Sequence, residues 1–338
     1  MRIILDGMGG DHAPASAVEG AVLAAKEIPH EIHIIGQEEL IHAELAKYKY
    51  DKKQIKVIDA REVISNDDAP VRAVRSKKDS SIVKGINMVK NGEGDIFISA
   101  GSTGALLAGG LFILGRIQGI DRPALASVYP IMGSKPSLLL DAGANAECKP
   151  NNLLEFGIMG NIYMEKVLGR PNPRVGLVNI GTEAAKGTTL TKAAYELLEH
   201  SDLNFVGNVE AREVPKGACD VIVADGFTGN VILKLTEGLA WNILQVMKKK
   251  FTDGMKAKLG AALLLNKIGE LKKDFDYSEY GGAPILGVKG PIVKMHGSSN
   301  ANAVKNTIIK GIPFVEEGVV DIIQNSVLEI EEITLSEY

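Results

Sequence analysis

Along the chain one pattern recurs: a short β-branched run, a loop of small polar residues, then a helical pattern. Arg2–Leu5 runs into DGMGGDHAP, Ile32–Ile35 into GQEEL, Ile55–Ile58 into DAREVI and Ile96–Ile98 into SAGSTGA. Leu138–Leu140 leads to DAGAN, Val175–Asn179 to IGTEAAKGTT, Phe205–Val206 to GNVEA and Val221–Val223 to ADGFTGN. Continuous apolar strands alternating with helices predict an α/β fold with a mostly parallel sheet buried on both faces. In such sheets ligands sit outside the carboxyl ends of the strands. Five of these loops hold more Gly, Asp, Asn and Thr than a connector needs, and they are expected to wall a single site.

The pattern changes after Gly229. A helical stretch to about Lys250 ends at Asp253-Gly254, and Met255 to Lys273 reads as a second helix with apolar Met255, Leu259, Leu263, Leu264, Ile268 and Leu271. Two consecutive helices make an αα-hairpin, expected to project over residues 235–275 from a single catalytic domain, 1–338, in which two lobes are allowed. One stretch, Ile96 to Gly115, carries no charge over transmembrane length. Its polar, glycine-rich Ser99–Gly104 would break a lipid-exposed helix, so a buried strand (Ile96–Ser99), a tight loop and a buried helix from Thr103 are expected instead.

Composition narrows the function classes. The chain has 338 residues, 38 Lys and Arg against 42 Asp and Glu, 24% charged and 45% hydrophobic. A net charge of −4 and aromatics at only 5% argue against nucleic acid as a partner. Cys148 and Cys219 build no disulfide framework, and no C-x-x-C pair is present. Only three consecutive apolar residues precede Asp6, too few for a signal-peptide core, so a cytoplasmic location is expected.

The familiar catalytic motifs fail. GMGGDH at 7–12 puts His12 where a dinucleotide fingerprint needs its third glycine, and GTEAAKGT at 181–188 transposes the Lys and Gly of a phosphate loop. There is no G-x-S-x-G or H-E-x-x-H, and the scattered histidines predict no metal site and no cofactor. What remains are anion-friendly loops at helix starts, 99–105, 181–189 and 225–230, where backbone N–H groups face a ligand. Lys186 adds a positive charge to one, and the Asn230 amide can donate to a developing oxyanion. For Asp6, Asp11 and His12 structural and catalytic roles are both open. Arg72, Arg75, Lys77 and Lys78 form a cationic cluster, and lysines 248–250, 256 and 258 flank apolar Leu263, Leu264 and Leu265. Each reads either as a solvated helix face or as a surface for an anionic membrane or acidic protein.

Over nearly the whole chain the motifs resemble the bacterial phosphate acyltransferases of the PlsX family. They are DGMGGDHAP (6–14), APVRAVRSKKDSS (69–81), SAGSTGALLAGGLFILGRIQGIDRPALA (99–126), LLLDAGAN (138–145), VGLVNIGTE..KGT (175–188), ADGFTGNVILK (224–234), YGGAPILG (280–287) and HGSSNANAV (296–304). Ser102 stands where the family pattern has Asn. The resemblance implies a three-layer α/β/α fold like that of isocitrate and isopropylmalate dehydrogenases, and a homodimer. It implies reversible transfer of a long fatty acyl group from acyl-carrier protein to inorganic phosphate. The acyl phosphate would feed a downstream glycerol-3-phosphate acyltransferase in phospholipid synthesis. Phosphate is itself a nucleophile, so the site must position two anions and stabilise charge on the thioester oxygen. Lys186 and Asn230 are the expected catalytic residues, and the matching motifs make Asp6, His12, Ser102, Thr103, Gly104, Asn145, Thr182, Asp225, Thr228 and His296 candidate substrate ligands. Arg72, Arg75, Lys77 and Lys78 are candidates for carrier docking. Leu263–Leu265 are candidates for peripheral contact with a membrane. The rivals are a phosphotransacetylase using short acyl-CoA, a nicotinamide-dependent dehydrogenase of the same fold class, and a membrane-surface scaffold.

Overall fold

The computed structural model describes residues 1–255, 257, 260–261, 264 and 281–336, and for 329–336 the backbone alone. Its strands form two sheets. The first is built on β1 (Arg2–Asp6), β2 (Glu31–Gly36), β3 (Ile55–Asp59) and β4 (Ile96–Ser99), joined later in the chain by β11 (Ala283–Leu286) and β12 (Ile292–Lys294). Its order is β3-β2-β1-β4-β12-β11-β5, where β5 is Ala124–Leu125. The five strands from β3 to β12 are parallel, and β11 runs antiparallel to both β12 and β5. Only Ala126 separates β5 from β6 (Ser127–Tyr129), the antiparallel edge of the second sheet. That sheet continues through β7 (Ser137–Leu140), β10 (Val221–Val223), β8 (Val175–Asn179) and β9 (Phe205–Glu210), all parallel.

The side-chain period of two explains the three layers. In β1, Ile3 and Leu5 enter one core with α1 (Ala15–Ala25), whereas Ile4 enters the other with α4 (Ser81–Lys90). In β4, Ile96 and Ile98 part from Phe97 in the same way. The second sheet repeats the division. Leu138, Leu140, Val221 and Val223 meet α6 (Pro150–Lys166) and α7 (Thr189–Glu199), and Leu139 and Ile222 face the opposite layer. Each apolar cluster draws residues from both sheets, so the two lobes share their cores. Helix α9 (Ala301–Glu316) strengthens the join, with Phe314 edge-on to Tyr163 of α6 at 5.7 Å. It also lies so close to α1 that a side chain on Gly20 would overlap Val304. α10 (Val319–Ser336) closes the chain.

The other helices are α2 (Glu38–Leu45), α3 (Pro70–Ser76), α5 (Thr103–Gly109) and α8 (Gly226–Phe251). α5 begins at Thr103, as the glycine-rich break predicts, and after Gly109 it continues only as a π turn to Leu114. Among the described residues no helix is long and apolar enough to cross a membrane. Helix α8, 26 residues long, is capped by Asp225, whose carboxylate accepts from Thr228 N–H. Much of its apolar surface is exposed, including Val231, Leu235, Leu239, Trp241, Ile243 and Val246. Most of the expected second helix, with Leu263 and Leu265, lies outside the described residues; Leu264 is described and is half exposed.

Candidate active site

The carboxyl ends of both sets of parallel strands open onto one cleft, a cavity of about 530 Å³. Asp11 follows β1 and Asn66 precedes α3; Gly101 and Thr103 follow β4. The second sheet contributes Gly143 after β7 and Asn230 near the start of α8, and the end of β12 with the loop after it contributes Lys294 through Gly297. Asn230 is held there by close backbone packing. A Cβ on Gly229 would overlap the Asp141 carbonyl oxygen, and at Gly143, φ +130°, a Cβ would come within about 3.3 Å of the Asn230 side chain.

Asp141 supports this wall from below. Its fully buried carboxylate accepts N–H groups from Leu125, Gly143, Ala144 and Asn145, together with the Asn145 side-chain amide. Burial pushes its pKa up, and these donors oppose the rise. The hydrogen bond from Leu125 also ties the loop after β7 to β5 of the other sheet. Asp6 has the same standing beneath the first lobe. It is buried and accepts Ser99 Oγ (2.6 Å) and Met8 N–H (3.0 Å).

Of the residues proposed from sequence, the structure brings Thr103, Asn230 and His296 together on the cleft. Others are built into the local frame. Ser102 caps α5 and is buried, Asp225 and Thr228 hydrogen-bond each other at the start of α8, and Asn145 donates to Asp141 and the Pro123 carbonyl. Gly104 is a close-approach position, where a Cβ would overlap Pro70. His12 is exposed beside Asp11 but does not line the cleft. Thr182 and Lys186 lie exposed in the loop after β8, also outside the cleft lining. Asn179 holds that loop, donating its amide to the Lys186 carbonyl and to Asn208 Oδ1.

Sequence reasoning missed Lys234, Glu237 and Lys294, all of which line the cleft. Lys234 and Glu237 lie one helical turn apart on α8 and form an ion pair at 2.8 Å, an i,i+3 spacing that the sequence displays. Lys294 carries no motif: it is one polar residue in a run of strand residues. Burial holds its pKa down to about 8, with Asp6 and Asp11 opposing and Lys234 adding to the fall. Burial likewise lowers the pKa of His296, assisted by Lys234 and Lys294. Ser298 N–H donates to His296 Nδ1 (3.2 Å), so the neutral ring carries its proton on Nε2.

A second cavity, about 540 Å³, adjoins the cleft and shares Val128, Leu233, Lys234, Glu237 and His296 with it. Away from that junction its walls are largely apolar, with Tyr129, Ala240, Trp241, Leu244 and Ala303. The site therefore joins a polar pocket at the strand ends to a greasy groove along α8. Among the described residues no three His, Cys, Asp or Glu side chains are grouped to hold a metal. Cys148 and Cys219 are desolvated, their thiols pushed up to about 11 and about 12, which leaves them protonated and poor nucleophiles at neutral pH.

Residues 1–322 match a family model described as "Fatty acid synthesis protein". The chain is 57% identical over 329 residues to a phosphate acyltransferase of Alkaliphilus oremlandii (strain OhILAs), covering 97% of each chain. The chain belongs to the phosphate acyltransferase family. It is also 50% identical over 332 residues to a phosphate acyltransferase of Clostridioides difficile (strain 630), covering 98% of each. A phosphotransacetylase from Streptococcus pyogenes shares the fold at a TM-score of 0.62, with 19% identity and 94% of both chains covered. The enzyme is thus an acyltransferase with phosphate as acceptor.

Proposed function

We propose that the acyl donor is a long-chain fatty acyl thioester of acyl-carrier protein. The observation that carries this reading is the apolar groove running from the polar cleft along α8. A short acyl group needs no such extension, whereas a fatty chain gains about 0.8 kcal/mol for each methylene buried there. The thioester carbonyl then lies at the junction of the two cavities, within the region framed by Asn230, Lys234 and His296.

There an oxygen of hydrogen phosphate attacks the carbonyl carbon, forming a C–O bond while charge builds on the carbonyl oxygen. The Asn230 amide donates to that oxyanion. Collapse breaks the C–S bond; the proton that phosphate carried ends on the departing sulfur, and acyl phosphate and free thiol result. Lys186 is assigned to the incoming phosphate, a role that requires the loop after β8 to swing over the cleft when substrates bind.

Carrier docking is assigned to the α3 face. Arg72 and Arg75 are exposed there, with Arg75 stacked 5.3 Å over Phe112, and Lys78 is exposed at the helix end. Lys77 is less available, because its ammonium is held by Asp68 (2.6 Å) and the Val63 carbonyl. α3 lies just beyond Asn66 of the cleft, so a carrier bound on it can reach inward with its prosthetic arm. The exposed apolar side of α8 suits pairing with a second copy of the chain. Leu264 suits contact with the membrane where a glycerol-3-phosphate acyltransferase would take up the product. Phosphorus NMR tests the core of this reading. With palmitoyl-carrier protein and phosphate, an acyl phosphate resonance should grow in step with free thiol; thiol release without that resonance would make the protein a thioesterase instead.

A further inference from the structure

Lys294 is the last residue of β12 and pairs in register with Ser99 of β4, which places it at the carboxyl end of the parallel strands. Its ammonium donates to the backbone carbonyls of Ala100 (3.3 Å) and Met295. An ammonium has three protons, so two carbonyl acceptors leave one. Among the described residues no carboxylate lies within ion-pair distance of it. Asp6, its nearest acidic neighbour by electrostatic influence, is already engaged by Ser99 and Met8. The cleft's other resident lysine, Lys234, differs in this respect, since Glu237 neutralises it at 2.8 Å. A largely desolvated ammonium with no carboxylate in contact among the described residues is costly. The cleft it lines also holds the uncharged donors Gly101, Thr103 and Asn230; of its two carboxylates Glu237 is paired with Lys234, and Asp11 acts on Lys294 at longer range than an ion pair.

We infer that Lys294 binds the acceptor phosphate, as the cleft lysine that no carboxylate contacts among the described residues, and holds it facing the thioester that Asn230 polarises. The inference rests on phosphate being the acceptor and adds a residue that no motif marks. Lys186 reaches the phosphate only with its loop, whereas Lys294 is in place before any substrate arrives.

The test uses the full-length Lys294→Met, Lys294→Arg and Lys186→Ala enzymes, with inorganic phosphate as the probe. Isothermal titration without acyl donor reads binding, and steady-state kinetics read KM for each substrate. Losing one hydrogen bond to a charged group predicts that Lys294→Met weakens phosphate binding and raises its KM about 10- to 100-fold. KM for the acyl donor should stay within about threefold, and Lys294→Arg should recover most of the affinity. Lys186→Ala should bind phosphate nearly as the wild type does and lose kcat. Unchanged phosphate binding in Lys294→Met overturns the inference, as does an equal rise in both KM values, which marks a merely structural lysine. If Lys294→Met does not fold, Lys294→Gln carries the same comparison. Wild-type enzyme that neither binds nor consumes phosphate would instead overturn the acceptor assignment itself.

Discussion

Gly238 offers a direct way to block the groove. It lies on α8 and lines the apolar cavity, and a Cβ built on it meets nothing within 4 Å. Gly238→Phe therefore adds a ring to the groove wall that Leu233, Trp241 and Leu244 also line, without a clash at its Cβ. Replacing a mid-helix glycine by Phe also favours the helix by a few tenths of a kcal/mol, about half the gain of Gly→Ala, so the fold should survive. If the ring displaces about four methylenes of a fatty chain, at about 0.8 kcal/mol each, kcat/KM for a palmitoyl donor falls by about 3 kcal/mol, or roughly 200-fold. A butyryl donor, which does not extend that far, should change less than about threefold. The assay is thiol release at saturating phosphate with matched palmitoyl and butyryl donors. A palmitoyl-to-butyryl ratio unchanged from the wild type would refute the placement of the chain along α8.

Asn230→Ala should lower kcat about 10²- to 10³-fold, the usual effect of losing an oxyanion donor, with KM for phosphate nearly constant; a selective rise in that KM would make Asn230 a phosphate ligand instead. Gly229→Ala forces a methyl group into the Asp141 carbonyl and should destabilise the fold by about 3 kcal/mol in urea denaturation, in the range for overpacking against fixed backbone. Asp220 accepts from Arg170 and from Arg174 Nε (3.2 Å). Burial pushes its pKa up, but the hydrogen bonds from Arg174 and Arg170 outweigh it and hold the carboxyl below its ordinary value. Its contribution is therefore present above the unfolded-state pKa of about 3.9 and is lost as pH falls through the lower native value. Asp220→Asn should cost about 2 kcal/mol at pH 7, less than a fully buried pair because Arg174 is half exposed, and should flatten the fall in urea midpoint between about pH 5 and pH 3.

Much of the fold was legible because the parallel strands are short apolar runs buried on both faces. Ile96–Ser99 followed by a helix from Thr103 appears in the structure with those bounds. The strands that sequence missed are the antiparallel β5, β6 and β11, together with β12, which carries Lys294. β5 has two residues and β6 three, while Pro284 in β11 and Pro291 before β12 suggest turns rather than strands. Without them the division into two sheets, and hence the cleft between their strand ends, does not follow from periodicity. For the site, loop composition pointed to strand ends that line the cleft after β1, β4 and β7, but not to which side chains line it. Ser102 and Asp225, candidates because of the motifs they sit in, cap α5 and α8, and Thr228 donates both its N–H and its hydroxyl to Asp225. Lys294 escaped notice because its exposure to the cleft depends on the pairing of β12 with β4, a contact between residues nearly 200 positions apart.

The most direct test of the central claim is phosphate-dependent thiol release measured in parallel on palmitoyl-carrier protein, palmitoyl-CoA and acetyl-CoA. The cleft, the groove and the α3 face together predict rapid release from the carrier substrate, absent without phosphate, and little or none from acetyl-CoA. Efficient turnover of acetyl-CoA with none of the palmitoyl-carrier would contradict the account and make the enzyme a short-chain phosphotransacetylase.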